Sequence, residues 1–305
     1  MKITKIHIKK FRGFQDEDFE IGTQLTAIAG QNGTQKSTLL GIITQTYTLK
    51  EGDPMKVENP LCGGSYRSGF KDKFRLSPTF DKPKGHEWTI SFDEGIADFT
   101  VESIKRTGDP NVRFWKKGSK KEGDGYFSFP TIFLSLKRLV PVAEEIKIET
   151  NDALLTENEL EEFKQLHNKI LITQVPISSA TAITSKNKQS LGVSTALYDW
   201  NQNSMGQDNL GKIILALFSF KRLKNKYPEQ YKGGILAIDE MDATMYLAAQ
   251  VELLKVLRKY ASKLKLQILF TTHSMSLLKA MDDLIKTLQI TANKLNSNIN
   301  KFKIM

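Results

Sequence analysis

Apolar positions alternate at the start of the chain and then form continuous runs on either side of a glycine-rich turn. Residues 3–8 repeat with a period of two, which is typical of a strand with one buried face. The continuous apolar run at 25–29 predicts a short buried strand, and residues 39–43 predict an apolar helix. The turn, residues 30–38, is therefore expected to connect a buried strand to a helix.

The middle of the chain carries short alternating runs that predict an antiparallel sheet. These runs are separated by Gly, Asp and Pro and lie at residues 87–92, 98–104, 112–115 and 126–129. A continuous apolar run at 131–136 better suits a strand that is buried on both faces. Residues 51–85 are rich in Gly, Pro, Lys and Asp with little periodicity, so we expect a long loop region there.

A helical insert is predicted after the β-rich part. Residues 152–170 carry apolar side chains at helical spacing, and Thr156 with Glu159 resembles a capping box. The acidic exposed face of this helix is interpreted as a solvated surface. Residues 178–189 are mainly Ser, Thr, Ala, Lys and Asn, which predicts a flexible connection.

The last third of the chain alternates strands and helices. The predicted elements are a helix at 209–224 with Asp208 as its N-cap, a buried strand at 233–239, a helix at 247–260 and a buried strand at 266–272. This alternation indicates a mostly parallel sheet covered by helices. The polar, basic end at 288–305 has no clear period and is expected to fray.

These patterns predict one α/β domain over residues 1–305, with a mostly parallel sheet flanked by helices, an antiparallel β subdomain and a helical insert. A first lobe at about 1–145 would hold the glycine-rich turn and the antiparallel sheet. The insert and its linker would occupy 146–195, and the final strand-and-helix lobe 196–305. A length of 305 residues is ample for a large core.

Composition is that of a soluble globular protein, with 40% hydrophobic and 26% charged residues. No signal peptide and no apolar run long enough to cross a membrane is evident, so a cytoplasmic protein without a membrane partner is expected. A single cysteine, Cys62, excludes an internal disulfide and fits a reducing compartment. Its neighbours include no base, which argues against a catalytic thiol.

The formal charge of +10 favours a polyanionic partner, for which nucleic acid is the obvious candidate, with DNA as one possible partner. Basic residues concentrate at 105–106, 113–121 and 255–265. Phe114 and Trp115 interleave with charge in the middle stretch, as in surfaces that stack bases and track phosphates. The alternative interpretation of this stretch is a solvated hairpin tip.

The glycine-rich turn has the composition of a phosphate-binding loop. Its predicted nucleotide contacts are Gly30, Gln31, Asn32, Gly33, Thr34, Gln35, Lys36, Ser37 and Thr38. Between a strand and a helix, backbone N–H groups converge on phosphate, a lysine reaches the terminal phosphates and a hydroxyl ligates Mg²⁺. Lys36 and Ser37 fit those two roles, which predicts ATP and Mg²⁺ as cofactors and a P-loop NTPase fold. The alternative is a strand-to-helix turn without a ligand.

One position departs from the pattern Gly-x-x-x-x-Gly-Lys-Ser/Thr, because Gln35 stands where the pattern has glycine. A Cβ there lies where backbone and phosphate approach closely, and it restricts a conformation that glycine adopts without cost. We therefore expect ATP to bind but to be hydrolysed slowly.

Acidic and imidazole side chains follow two buried strands. Asp239 is predicted to hold the metal ion and Glu240 to orient or deprotonate the attacking water. His273 follows the next strand, at the edge where ligands collect in open α/β folds, and is expected to contact the γ-phosphate. Without the glycine-rich turn, two acidic residues after a strand would more simply mark a helix N-terminus. His7, His86 and His167 have no comparable setting.

Ser204, Gly206 and Gln207 precede the predicted helix at 209–224 and form a second candidate anion site at a helix N-terminus. They match the signature loop Leu-Ser-Gly-Gly-Gln of ABC-type ATPases, from which Asn203 and Met205 depart. Met205 replaces a glycine of that loop, and its side chain would hinder a close approach of the loop to the nucleotide.

The ordered motifs Phe-Arg-Gly-Phe, phosphate-binding loop, signature loop, Ile-Leu-Ala-Ile-Asp-Glu and Thr-Thr-His resemble those of the ABC-type ATPase heads of the SMC, RecF and OLD group. Within that group, the stretches around residues 30–38, 134–141 and 206–212 are similar to the ATPase subunits of Septu anti-phage systems. The group resemblance covers most of the chain.

This resemblance implies a head-to-head homodimer in which Ser204, Gly206 and Gln207 of one subunit close on ATP held by the other. It implies that Asp242 lies near the dimer seam and that Arg12 approaches the nucleotide. Arg138 stands near the position of the glutamine loop, for which no glutamine is found.

Two functions of different classes follow from the resemblance. The first is an ATP-hydrolysing switch that controls an HNH-type nuclease partner in anti-phage defence. The alternative is an ATP-gated DNA-binding clamp or repair protein of the RecF or SMC kind with little hydrolysis. No sustained heptads support a long coiled coil, and only Asp282 and Asp283 follow His273 as acidic residues, too few for a nuclease domain. The ATPase subunit of a transporter fits the β-rich middle less well.

Overall fold

The structure is a computed structural model that describes residues 1–70, 73–105, 112–119, 125–140, 142–145, 147–185, 188–280 and 286–289. The strands are β1 (Ile3–Phe11), β2 (Phe14–Glu20), β3 (Leu25–Ala29), β4 (Tyr47–Thr48), β5 (Glu87–Phe92), β6 (Phe99–Lys105), β7 (Val112–Lys116), β8 (Phe127–Ser128), β9 (Thr131–Leu134), β10 (Glu149–Asn151), β11 (Ile177–Thr184), β12 (Gln189–Thr195), β13 (Gly234–Ile238), β14 (Leu266–Thr272) and β15 (Lys286–Gln289). The helices are α1 (Lys36–Thr44), α2 (Glu157–Leu171), α3 (Met205–Lys226), α4 (Leu247–Lys263) and α5 (Met275–Ala280).

A parallel sheet in the order β15-β3-β14-β13-β9 forms the centre of the fold. All residues of β3, β13 and β14 are buried, which explains why these strands are continuous apolar runs rather than alternating ones. Their side chains divide between two cores. Ile28, Ala237 and Leu269 face one core, whereas Ala27, Leu236 and other neighbours face the second.

The first core lies between the parallel sheet and an antiparallel sheet in the order β2-β1-β5-β6-β7. Helix α1 contributes Leu39, Leu40, Ile42 and Ile43 to this core. The second core holds the apolar faces of α2, α3 and α4 together with a three-stranded antiparallel sheet, β10-β11-β12. The phosphate-binding turn is thus fixed between two sheets at the carboxyl edge of the parallel one.

Several predicted elements are confirmed. β3, β5 and β14 have the bounds that the apolar pattern predicts. The capping box of α2 is present, since the Thr156 hydroxyl accepts from the Glu159 N–H and the Glu159 carboxylate accepts from the Thr156 N–H. Among the described residues, 51–85 are mostly loop, with a short 3₁₀ turn at Pro54–Val57 and a single β-bridge between Arg67 and Thr48.

Three expectations are wrong. Residues 178–184 and 189 are not a flexible connection, because they belong to the paired strands β11 and β12, whose small polar residues hid the pattern, and residues 186–187 lie outside the described chain. Asp208 is not an N-cap, since α3 begins at Met205 with Ser204 as its cap. The run at 126–129 contributes β8, which pairs in parallel with β4 outside the antiparallel sheet. Of the end at 288–305, the first two residues belong to β15, and residues 290–305 lie outside the described chain.

Within the described residues, no helix combines the length and the apolar character needed to cross a membrane. Of the basic stretches, residues 106 and 120–121 lie outside the described chain. Arg113 and Lys116 belong to β7, so the middle stretch is partly strand and not only a hairpin tip.

Candidate nucleotide site

Lys36 lies in the first turn of α1 with its ammonium group held across the phosphate-binding turn. Its Nζ donates to the carbonyl oxygens of Gly30 at 3.0 Å and Gln31 at 2.9 Å. The side chain is largely buried, which lowers the pKa of the ammonium, and the carboxylates of Glu240 and Asp239 oppose that shift. The Lys36 ammonium group is therefore held at the position where it would contact a terminal phosphate of a bound nucleotide.

Gln35 occupies a backbone conformation that favours glycine. Its φ is 64° and its ψ 29°, the left-handed region, and Gly33 two residues earlier has a φ of 80°. The Gln35 side chain points to the turn between β1 and β2, where its Oε1 accepts from the Gly13 N–H at 3.4 Å. The departure from the motif thus places a strained residue at the start of α1.

Ser37 and Asp239 bring α1 and β13 together. The Ser37 hydroxyl donates to Asp239 Oδ1 at 2.8 Å, and the Thr271 hydroxyl donates to the same oxygen at 2.7 Å. A hydroxyl and a carboxylate are the oxygen ligands that Mg²⁺ takes in nucleotide sites, so these residues fit the predicted ion. Thr271 also accepts from the Glu240 N–H at 2.6 Å, which fixes the end of β13 to β14.

Glu240 and His273 lie at the carboxyl ends of adjacent strands. His273 Nε2 is 3.9 Å from Glu240 Oε1, and each side chain is 36% exposed, so both reach solvent. His273 Nδ1 lies 3.4 Å from Lys36 Nζ. The imidazole therefore stands between the predicted catalytic carboxylate and the predicted phosphate contact.

The backbone around Glu240 is constrained by a hydrogen bond and by an unusual conformation. The His273 N–H donates to Asp242 Oδ2 at 3.2 Å, and Glu240 itself has a left-handed φ of 49°. A non-glycine residue in that region costs about 1 kcal/mol or more and persists only where neighbours hold it. The Glu240 carboxylate is thus presented by a constrained turn.

Arg138 has a fully buried guanidinium group that contacts the backbone just after β13. It donates to the Glu240 carbonyl at 2.8 Å and to Asn209 Oδ1 at 2.8 Å, and also to the carbonyls of Leu134 and Ser135. Burial lowers the pKa of Arg138 to about 10, opposed by the nearby Asp239 and Glu240 carboxylates. Its donors are engaged within the protein, so Arg138 positions other residues and does not replace a glutamine loop.

The signature residues lie at the start of α3. The Ser204 hydroxyl accepts from the Gln207 N–H at 3.3 Å, and Gln207 also donates to the Tyr198 hydroxyl at 2.9 Å. A Cβ at Gly206 would lie 2.7 Å from the carbonyl oxygen of Thr244. Glycine is therefore required there by packing against the segment after Glu240. Met205 is exposed at the tip.

Arg12 follows β1 at a left-handed φ of 53°. Its guanidinium donates to the carbonyl of Arg75 at 2.8 Å, lies 3.5 Å from the Thr38 hydroxyl, and stands over the ring of Phe74 at 5.4 Å. Thr38 closes the phosphate-binding turn, so the structure brings Arg12 to the edge of the candidate site.

The structure thus brings Arg12, residues 30–38, Asp239, Glu240 and His273 to one edge of the parallel sheet. No hydrogen bond of the described chain joins Ser204, Gly206 or Gln207 to that turn. The Ser204 and Gln207 groups bond to each other and to Tyr198, and Gly206 packs against the Thr244 carbonyl. Their roles in a second subunit stay a prediction.

Sequence reasoning missed Thr271, Asn209 and the positioning role of Arg138. Thr271 had a signal, since Ile238 of β13 is level with Phe270 of β14 and the next residues must face each other. Asn209 and Arg138 had none, because their contacts join segments that are distant in sequence.

This fold and this site define a P-loop ATPase head. The chain belongs to the family described as AAA ATPase domain, whose model matches residues 1–129 and 130–278. ATP binding and ATPase activity are the properties of that class.

Solved structures show the same fold. The Smc head bound to the C-winged helix domain of ScpA matches over 92% of this chain and 91% of that chain, with a TM-score of 0.53 and 14% identity. The Smc head with an extended coiled coil, bound to the C-terminal domain of ScpA derived from Pyrococcus furiosus, matches over 95% and 94%, with a TM-score of 0.51 and 12% identity.

One curated relative also matches, the uncharacterized protein MJECL10 of Methanocaldococcus jannaschii. It is 25% identical over 127 residues, which is 41% of this chain and 58% of that protein. The chain thus spans little more than half of the relative's length.

Proposed function

We propose that the protein is a Mg²⁺-dependent ATPase that works as a dimeric switch and controls an HNH-type nuclease partner in anti-phage defence. The observation that carries the ATPase part is the convergence of Lys36, the Ser37–Asp239 pair and Glu240 at one edge of the sheet. The defence role rests on the resemblance of the motifs to Septu ATPase subunits.

Each group at this edge has a distinct task. Lys36 and the N–H groups of the turn bind the phosphates, and Ser37 with Asp239 would hold Mg²⁺, which when bound neutralises charge on the phosphate oxygens. The Glu240 carboxylate orients the attacking water and accepts its proton. His273 lies between Lys36 and Glu240 and donates toward the γ-phosphate.

Dimerisation supplies what one chain lacks. The helix N-terminus of α3 offers N–H groups and the Ser204 hydroxyl, and no hydrogen bond of the described chain joins these groups to the turn at 30–38. Met205 is exposed beside them. A second copy placed head to head would bring them to its neighbour's ATP. Closure would then depend on nucleotide, which is the behaviour expected of a switch.

The test uses two variants with opposite expected effects. Glu240→Gln keeps the phosphate and metal contacts but removes the base, so ATP should convert it to a stable dimer that light scattering detects. Lys36→Ala should bind no ATP by calorimetry and stay in its nucleotide-free state. If Glu240→Gln has one mass with and without ATP, the gating idea is wrong, and if Lys36→Ala binds ATP as wild type does, the site is wrong.

The partner is tested separately. Co-purification of this chain with the product of a neighbouring HNH reading frame, and phage challenge of cells that carry both, should depend on Lys36. If Lys36→Ala protects cells against phage as well as wild type does, the switch proposal is wrong. The separate proposal that the wild-type chain binds ATP would not be affected.

A second function, an ATP-gated DNA clamp, is favoured by the charge on α4. Lys255, Arg258, Lys259 and Lys263 lie at helical spacing along one exposed stripe. With Gln24 and Ser262 they line an open cavity of about 610 Å³. Parallel cationic side chains on one face suit a phosphate backbone.

Changing Arg258 and Lys259 together to Gln should weaken binding of duplex DNA and lower its salt dependence by about two charges. A double change of Lys9 and Lys56, exposed residues that are not part of the stripe, is the control. Equal DNA affinity for both double variants would remove the clamp interpretation.

A further inference from the structure

A second polar cavity lies at the carboxyl end of β9. It has a volume of about 590 Å³, and its walls come from the loop at residues 62–67, from β9 and the residues that follow it, from the ends of β11 and β12, and from α3. None of its lining residues belongs to the turn at 30–38 or to the segment 239–244. In the order β3-β14-β13-β9 it is three strands away from the phosphate-binding turn, roughly 14 Å at about 4.8 Å per strand.

Among the described residues, the charged side chains that line this cavity are all basic. They are Arg67, Lys137, Lys188 and Lys212. Two acidic residues outside the lining contact residues that belong to it. Glu145 accepts from the Ser185 hydroxyl at 2.8 Å, and Asp208 accepts from Lys188 at 3.1 Å. The cavity therefore presents positive charge that its own walls only partly neutralise.

Two of these lysines differ in how they are satisfied. Lys188 is buried and its ammonium donates to the Val140 carbonyl at 2.7 Å as well as to Asp208. Lys212, from the second turn of α3, has no hydrogen bond or ion pair with any residue of the described chain. Its pKa is lowered mainly by burial, and Lys188 and Arg138 lower it further, while Cys62, which also lines the cavity, and Glu145 oppose them. An ammonium without a partner among other cations is costly, and an anion in the cavity would supply that partner.

We propose that this cavity is a second anion site that binds a phosphate-bearing small molecule, with Lys212 as the central contact and Arg67 and Lys137 at the opening. The volume accommodates pyrophosphate or a mononucleotide. Ser65 and Arg67 also line a neighbouring cavity with the aromatic side chains of Phe70, Phe114, Trp115 and Tyr126, and Arg67 stands 5.2 Å from the centre of the Tyr126 ring. Aromatic faces beside a phosphate site suit a nucleobase.

The site is connected to the signature loop through one buried ion pair. Asp208, the partner of Lys188, follows Gln207 directly and also accepts from the Val142 N–H at 3.0 Å. An anion that attracts Lys188 toward the cavity competes with Asp208 for that ammonium. Occupancy would therefore be felt at the start of α3, although the proposed site itself does not depend on the dimeric switch.

Calorimetry with pyrophosphate as the probe tests the proposal in the Lys36→Ala background, where the first phosphate site is disabled. Lys36→Ala should bind pyrophosphate, and adding Lys212→Met should weaken that binding by about tenfold or more. Lys169→Met, which removes an exposed lysine of α2, is the matched control and should leave the affinity unchanged. Lys137→Met, at the exposed opening of the cavity, should also lower the affinity for pyrophosphate. It serves as a second variant that leaves the protein core unchanged.

Inorganic phosphate, AMP and a short single strand of DNA with a 5′-phosphate separate the possible sources of the phosphate group. Tighter binding of AMP than of pyrophosphate would identify the aromatic cavity as its base site. The proposal is overturned if Lys36→Ala binds no pyrophosphate, if Lys212→Met and Lys137→Met bind it as Lys36→Ala alone does, or if only the DNA strand binds.

Discussion

The Ser37 hydroxyl and the Asp239 carboxylate, 202 positions apart in the chain, are joined by a hydrogen bond of 2.8 Å. The contact exists because β3 and β13 both flank β14 in a parallel sheet, so that the turn after β3 and the residue after β13 meet at the same edge. Two oxygens are thereby held at the distance at which one cation can be shared.

Asp239→Ala should abolish Mg²⁺-dependent ATP hydrolysis, with a fall of at least about 100-fold in the phosphate-release rate. The variant removes the carboxylate that Ser37 and Thr271 both contact, and with it the expected second oxygen ligand. A Mg²⁺ titration of phosphate release provides the measurement, and Asp98→Ala, on an exposed loop, is the control. An unchanged Mg²⁺ requirement would show that the ion is held elsewhere.

Gln35→Gly should both stabilise the fold and speed hydrolysis. Glycine adopts a φ of 64° without strain, so the free energy of unfolding should rise by about 1 kcal/mol in a urea titration. Phosphate release should accelerate because a side chain is removed from the turn that cradles phosphate.

Lys265→Gly is a matched control for that prediction, since Lys265 is also left-handed, with a φ of 51°, but lies beyond α4. It should show a stability gain without a rate gain. If Gln35→Gly turns over no faster than wild type, Gln35 is not a brake on hydrolysis.

Gly206→Ala should destabilise the protein by about 1–3 kcal/mol, because its Cβ would lie 2.7 Å from the Thr244 carbonyl, a backbone atom that cannot move alone. The change should also displace the segment after Glu240 and so slow hydrolysis. Thermal unfolding and phosphate release measure the two effects. Met205→Ala, at the exposed neighbouring position, should leave stability unchanged, and equal stability of the two variants would contradict the packing argument.

His167 should make the protein acid-sensitive. Burial lowers its pKa to about 4 and leaves its Nε2 without a partner among the described residues, whereas the unfolded chain protonates it at about 6.5. The unfolded state therefore binds more protons below pH 6.5, and stability falls as the pH drops from 6.5 toward 4. His167→Leu should remove about 2 kcal/mol of the loss between pH 7 and pH 5.

Urea titrations at pH 7 and pH 5 measure that difference, with His7→Gln, an exposed position, as the control. A wild type that loses no more stability than His167→Leu on acidification would show that His167 titrates normally in the fold.

The elements of the central sheet were predictable because buried parallel strands are continuous apolar runs with polar residues directly after them. Asp239 and His273 stand out for that reason, and their proximity follows from the alternation of strands and helices. The hairpin of β11 and β12 was not predictable in the same way. Its strands contain Ser, Thr, Ala and Gly, whose burial depends on α3 packing against them and not on their own hydrophobicity.

The sequence predicts which residues form the site, but it does not predict the buried contacts that hold them in place. Lys36, Ser37, Asp239 and Glu240 follow from local motifs. Arg138 was interpreted by its position after β9, yet its guanidinium is turned into the core, where four acceptors surround it. A single arginine in a loop carries no signal for that orientation, because two of its partners, Asn209 and Glu240, come from segments that are distant in sequence.

Arg138 has a consequence for any assembly of two such chains. Its guanidinium donates both to the main-chain carbonyl of Glu240 and to the side chain of Asn209, which lies five residues after Ser204. In a head-to-head pair, each chain would supply Glu240 to its own ATP and Ser204 to its neighbour's. A movement of Glu240 at one ATP would then be transmitted through Arg138 and Asn209 to the start of α3, which contacts the other ATP. We therefore expect the two sites to hydrolyse ATP in a coordinated way.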